Sequence, residues 1–221
     1  MRSPSSLLLA CIALALAPAA PASAAGHAMV VAANPLAAAA GMKVLKAGGS
    51  AADAAVAVQA VLGLVEPQSS GLGGGAFMTY YDGKTHQVSA YNGRETAPAG
   101  ATPDMFEGPD GKPLPFYTAV LSGRSTGAPG AVALLALAQK EHGRKPWKTL
   151  FGAAETLADQ GFVVSPRLSG FVNGRAPEAR APDMVAYFTK PDGGEVKSGD
   201  VLKNPAYSQT PDLVERLKRE A

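Results

Sequence analysis

Glu66-Pro67-Gln68-Ser69-Ser70-Gly71-Leu72-Gly73-Gly74-Gly75-Ala76-Phe77-Met78-Thr79-Tyr80-Tyr81-Asp82-Gly83 sets the order of elements on either side of it. An apolar helical segment runs into the stretch. Beyond it, Ala76 to Tyr81 and Thr85 to Tyr91 are two runs of strand formers flanking Asp82-Gly83, which reads as a hairpin whose turn Lys84 widens slightly. Helix, glycine loop, antiparallel hairpin is not the strand, loop, helix order in which glycine-rich loops hold phosphates. Gly71-x-Gly73-x-x-Ala76 fits the dinucleotide fingerprint only superficially, and the order excludes that function.

Upstream, Met29 to Ala33 reads as a short buried strand. Asn34-Pro35 then opens a helix to about Ala47, with proline in the first turn, where its missing N–H costs nothing, and Gly48-Gly49 ends it. Ser50 with Asp53 forms a capping box in which Asp replaces the usual Glu, opening a second helix through about Val65 that Pro67 stops. That helix is apolar on nearly every side and is expected to lie buried against a sheet. Downstream, proline-rich Ala97 to Phe116 reads as an extended surface segment with a turn at Thr102-Pro103-Asp104. Helices are expected over Ala131 to Glu141 and Trp147 to Gln160, the latter ended by Gly161. Phe162 to Val164 reads as extended, Arg175 to Asp200 as mostly loop, and Pro211 to Glu220 as a further helix.

The N-terminus carries a compartment signal. Leu7 to Ala17 is an apolar run of signal-peptide length, too short to span a bilayer. Arg2 precedes it, and Ala22-Ser23-Ala24 supplies a small-x-small cleavage pattern. Residues 1–24 are therefore expected to be a signal peptide and 25–221 the mature domain, periplasmic or secreted, with no membrane attachment after cleavage. The rival lipoprotein reading of Leu8-Leu9-Ala10-Cys11 has few apolar residues before Cys11 and an apolar run continuing after it. Cys11 is the one cysteine, so the mature chain would hold neither disulfides nor thiolate metal sites. A formal charge of +2, with Arg216, Lys218 and Arg219 interleaved with Glu215 and Glu220, does not recruit nucleic acid.

Chemistry-bearing residues are few. His27, His86 and His142 lack metal-ligand spacing, so neither a metal nor another cofactor is expected. His27 and His142 read as solvent-exposed, or in the case of His142 as a helix C-terminal dipole contact. Thr85-His86 mimics an N-terminal threonine nucleophile, but it follows a hairpin turn and leads into an ordinary alternating strand. Gly71 to Gly75 with Arg94 is more informative. Glycines let backbone N–H groups approach a ligand, and an arginine just beyond a strand end can grip a carboxylate with two parallel hydrogen bonds. A tight helix-to-strand connection for the glycines, and a salt bridge to Glu95 for Arg94, are the structural alternatives.

Taken with their neighbours, these residues resemble the gamma-glutamyltranspeptidase family of N-terminal-nucleophile hydrolases. The blocks that carry the resemblance begin with Ala33-Asn34-Pro35-Leu36-Ala37, Gly48-Gly49-Ser50-Ala51-Ala52-Asp53-Ala54-Ala55 and Glu66 to Met78. Arg94-Glu95-Thr96-Ala97-Pro98, Asp104-Met105-Phe106, Gly127-Ala128-Pro129-Gly130 and Ala158 to Val164 follow in order. Gly199-Asp200 and Asn204-Pro205 extend the match, which covers about residues 28 to 210.

The resemblance implies an α+β fold, the αββα sandwich of N-terminal-nucleophile hydrolases, incomplete in this chain. It further implies a precursor that cuts itself into large and small subunits, with a threonine nucleophile at the small subunit's new N-terminus. Glutathione and related gamma-glutamyl compounds would be the substrates, hydrolysed or transferred through an acyl-enzyme, and Arg94 would hold the alpha-carboxylate of the gamma-glutamyl group. The nucleophile, its Thr-His context, and the serine and glycine pairs that complete the site have no counterpart here. The expectation is thus of a truncated large-subunit part, inactive alone and lacking its partner small subunit. A related amide acylase and an inactive periplasmic gamma-glutamyl-binding remnant are the alternatives.

Overall fold

The computed structural model describes residues 28–174 and 177–209; the expected leader, His27 and the helix expected from Pro211 lie outside the described residues. Helix α1 (Pro35–Lys46) starts as the sequence indicates. Asn34 Oδ1 accepts from Leu36 N, and proline occupies the first turn. Helix α2 (Ala51–Val65) is opened by a complete capping box: Ser50 Oγ accepts from Asp53 N, and Asp53 Oδ2 accepts from Ser50 N at 2.8 Å. Asp53 is fully buried, and its carboxylate also accepts from Arg144 N and Gln139 Nε2, which pins the start of α2 to the end of helix α5 (Ala131–His142). Burial opposes ionisation of Asp53, but these hydrogen bonds outweigh it and hold its carboxyl below the usual range.

Helix α2 lies at the centre of the core, but its main neighbours are helices rather than a sheet. It packs on α1, α5 and α6 (Gly152–Gln160). The reason is the small side chains. A Cβ at Gly41 would come within 2.7 Å of Val58 Cγ2, so α1 and α2 sit closer together than larger residues allow. Pro67 does break α2, and the chain then makes one short turn, α3 (Pro67–Ser70), before the glycine loop; a second short helix, α4 (Phe116–Val120), follows the proline-rich segment.

Strands β1 (Ala76–Asp82) and β2 (Gln87–Gly93) form the expected antiparallel hairpin, in register from Ala76 opposite Gly93 to Asp82 opposite Gln87. The hairpin rests on α5. A second antiparallel pair, β3 (Phe162–Val163) with β4 (Val201–Leu202), forms a separate two-stranded sheet. Helices with these two pieces of antiparallel sheet make an incomplete α+β fold.

Four further expectations need correction. Met29 to Ala33 alternates as a strand would, with Met29 and Val31 exposed, but no described strand lies beside it, so it is extended and unpaired. Trp147 to Gln160 is a 3-10 turn (Trp147–Leu150) followed by α6, broken at Phe151 as Trp147, Leu150 and Phe151 are drawn into the core. The loop expected over Arg175 to Asp200 holds a 3-10 turn (Pro177–Arg180) and a helix (Pro182–Phe188) whose Phe188 is buried. His142, in the last turn of α5 where the dipole alternative places it, is half-buried rather than open to solvent: it stacks on Tyr80 with ring centroids 3.8 Å apart, and its Nε2 lies 2.7 Å from Tyr91 Oη.

Candidate active-site groove

The residue after β2 is Arg94. Its backbone N–H donates to Asn92 Oδ1 at 3.0 Å, and its exposed side chain points Nε toward Glu95 Oε2, 3.5 Å away. Pairs this open to water contribute little, so the guanidinium can exchange Glu95 for a ligand carboxylate at small cost. Glu95 itself is firmly placed. Its own backbone N–H, the N–H of Gly75 and the charge of Arg94 outweigh partial desolvation and hold its carboxyl below the ordinary glutamate range.

The glycine loop meets this pair. A Cβ at Gly75 would overlap the Glu95 carboxylate and lie 2.8 Å from Glu95 N, so only glycine lets the loop pass there. Gly74 O accepts from Gly130 N and Ala131 N, the first donors of α5, and thereby fixes the loop to that helix. Gly73, by contrast, faces open space. Gly75 thus serves close packing, the structural alternative, whereas Gly73 borders solvent where a ligand can approach.

Opposite Arg94 runs the segment from the 3-10 turn Gly123–Ser125 to Gly127. It is held to the Arg94 segment by a two-way bridge: Thr96 N donates to Ala128 O at 3.3 Å, and Ala128 N donates to Thr96 O at 2.9 Å. Between these strips lies an open groove of about 500 Å³, bordered by Gly73, Arg94, Glu95, Met105, Phe106 and Arg124 among others. That volume falls within the range of small-molecule sites. A second hollow of about 370 Å³ continues behind the glycine loop and shares Gly73 and Glu95 with the groove.

The structure therefore brings together Arg94 and the glycine loop, which are about twenty residues apart in sequence. It separates Thr85-His86 from them. That pair sits at the tip of the hairpin, six rungs from Gly93, or roughly 20 Å. His86 takes a positive φ of 57° there, with Nδ1 2.7 Å from Tyr81 Oη. Arg124 was not legible as a groove residue, because nothing in Ser122 to Ser125 marks it and only the bridge to Thr96 carries it there.

One buried hub supports the loop from below. Glu66, 1% exposed, accepts from Asn34 Nδ2 (3.0 Å) and Ser165 Oγ (2.8 Å) on Oε1, and from Gln68 Nε2 (2.6 Å) and Arg167 Nη1 (3.4 Å) on Oε2. Arg167 Nη1 also donates to Ser69 Oγ. Among the described residues no cluster of His, Cys, Asp and Glu is arranged to hold a metal, and no helix is long and apolar enough to cross a membrane.

A family profile described as Gamma-glutamyltranspeptidase matches residues 37–221. The glutathione hydrolase proenzyme of Bacillus subtilis (strain 168) is 40% identical over 186 residues, which are 84% of this chain and 32% of that protein. The crystal structure of Helicobacter pylori gamma-glutamyltranspeptidase superimposes with a TM-score of 0.78 at 30% identity, over 86% of this chain and 54% of the other. That of the Pseudomonas nitroreducens gamma-glutamyltranspeptidase, complexed with L-DON, gives 0.76 at 28% identity, over 86% and 55%. The chain spans about a third of the length of the curated Bacillus relative.

Proposed function

Since this chain belongs to the gamma-glutamyltranspeptidase family, matching the N-terminal part of its large subunit, we propose that it supplies the donor-carboxylate site of an enzyme that transfers or hydrolyses gamma-glutamyl groups. Its fold is the incomplete α+β fold of that family's N-terminal-nucleophile hydrolases. In this reading Arg94 turns from Glu95 to the alpha-carboxylate of a gamma-glutamyl compound such as glutathione, and its fork of N–H donors fixes that end of the substrate. A threonine from the small subunit, the partner segment of the same precursor, then attacks the gamma-carbonyl. The gamma-amide bond breaks, the amine leaves with a proton, and the acyl-enzyme passes its gamma-glutamyl group to water or to an acceptor amine. Residues 1–24 would direct the precursor to the periplasm or the exterior, and 25–221 form part of the large-subunit domain.

The observation that supports this reading best is the placement of Arg94: exposed, weakly paired, and at the rim of a groove large enough for the substrate. The test is Arg94→Ala in the processed enzyme that contains this chain, assayed on a gamma-glutamyl anilide. Loss of two charge-assisted hydrogen bonds is expected to lower kcat/KM by about 10²- to 10³-fold, with Arg94→Lys intermediate. Wild-type rates in Arg94→Ala would refute the assignment, and equal turnover of a glutaryl amide would make the enzyme an amide acylase instead. Residues 25–221 alone are expected to show no turnover, because the nucleophile comes from the partner segment.

A further inference from the structure

The groove holds a second guanidinium with no anionic partner. Arg124 donates Nη1 to Met105 O at 3.0 Å, and among the described residues no carboxylate lies within ion-pair distance of it. The one acid bordering the groove, Glu95, keeps the N–H groups of its own backbone and of Gly75 as partners when Arg94 turns to a ligand. A groove with two arginines and one satisfied carboxylate has room for more than one anionic group. Arg124 is also held in place. Its 3-10 turn is buttressed by Ser125, whose single O–H is shared between Val120 O (2.7 Å) and Ser122 O (2.9 Å), and the Thr96–Ala128 bridge ties the segment to that of Arg94. The single bond to Met105 O orients one edge of the guanidinium and leaves most of its five donors unused. Met105 and Phe106 give the groove an apolar wall alongside it.

We propose that Arg124 is a specificity-determining residue of this groove, binding a second carboxylate on the part of the substrate beyond the scissile gamma-amide. The inference rests on the function proposed for Arg94. The favoured donors are then gamma-glutamyl peptides ending in a free carboxylate, in preference to gamma-glutamyl amides with a neutral leaving side. Arg94 takes the carboxylate every donor shares; Arg124 reads the one that only some carry.

Glutathione and its C-terminal glycinamide form a near-isosteric pair that differs in this one charge. In the processed enzyme, kcat/KM is expected to favour glutathione by about tenfold, the value of one charge-assisted hydrogen bond at a partly exposed site. Arg124→Gln lowers the glutathione rate about tenfold more than the amide rate and brings the ratio toward one, while Arg124→Lys retains part of it. Arg94→Gln lowers both rates together. A wild-type ratio near one, or a ratio preserved in Arg124→Gln, overturns the inference. Equal losses on both substrates in Arg124→Gln also overturn it, because they would mean that the side chain only holds the Met105 loop. If Arg94→Gln alters neither rate, the functional reading of the whole groove fails; if it lowers both while the ratio survives Arg124→Gln, only the role of Arg124 fails.

Discussion

Replacing Glu66 by glutamine tests whether a buried charge organises the ground beneath the glycine loop. The carboxylate is 1% exposed and accepts four hydrogen bonds, two on each oxygen, from Asn34, Ser165, Gln68 and Arg167. An amide keeps one oxygen and turns the other position into a donor. Two of the four bonds are lost, and two donors face an NH₂ group. At about 1.5 kcal/mol per bond to a charged acceptor, the loss is about 3 kcal/mol, which for a domain of this size is roughly 6–12 °C in Tm. The internal control is Arg167→Ala. Arg167 is 56% exposed, so its share is screened and its removal is expected to cost less than about 1 kcal/mol. The same pair fixes the pH response. Burial opposes ionisation of Glu66, but the bonds from Asn34, Ser165 and Gln68 and the charge of Arg167 prevail, and its pKa lies below the ordinary value. A depressed carboxylate contributes its full stability above the unfolded-state pKa of about 4.3 and loses it as pH falls through the lower folded value. Denaturant midpoints measured from pH 7 to pH 3 should therefore fall steeply below about pH 4.3 in the wild type, and less steeply in Glu66→Gln. A Glu66→Gln midpoint at pH 7 within error of wild type, or no larger a drop than Arg167→Ala gives, would refute the reasoning.

Two other substitutions separate packing from ligand approach and test the aromatic cluster. Gly75→Ala should destabilise by about 1–3 kcal/mol and displace Glu95, whereas Gly73→Ala, facing open space, should leave the denaturation midpoint nearly unmoved; equal effects would show that the loop is not seated on Glu95. The Tyr91 hydroxyl, bonded to Glu141 Oε2, is pushed up to about 12, first by that hydrogen bond and then by burial and the negative charge of Glu141. Since its folded pKa is raised, the associated stability is complete below about pH 10 and is lost as pH rises toward 12. Burial also raises Tyr187 and Tyr207, so ultraviolet titration should show several late tyrosinates; Glu141→Gln should move one tyrosine's share of that late absorbance earlier, and an unchanged late amplitude would refute the assignment.

The helices and the hairpin were legible because their signals are local. Ser50 and Asp53 stand three residues apart and form both bonds of the capping box, Asn34-Pro35 supplies both the cap and the first turn of α1, and Asp82-Gly83 marks where the hairpin folds back. Where reading failed, long-range packing had prevailed. Phe188 is drawn into the core and turns an apparent loop into a helix, and Phe151 breaks what looked like one helix because its ring is needed inside. His142 looked exposed from its position at a helix end, but Tyr80 and Tyr91, fifty and more residues away along the chain, cover it.

Half of the groove follows the same division. Arg94 was visible because it stands next to a strand end and beside an acid, a local arrangement that suits a carboxylate ligand. Arg124 sits thirty residues on, in a turn of small polar residues with no pattern of its own, and reaches the groove only because Thr96 and Ala128 pair. That pairing in turn depends on close glycine contacts between segments about thirty residues apart. A Cβ at Gly127 would meet Glu95 Cβ at 3.0 Å, and one at Gly93 would come within 2.7 Å of Gly130 O. The second arginine is therefore a product of glycine packing between two strips of chain. A change at Gly93 or Gly127 should shift Arg124 relative to Arg94 and alter discrimination between mono- and dicarboxylate donors before it abolishes binding of either.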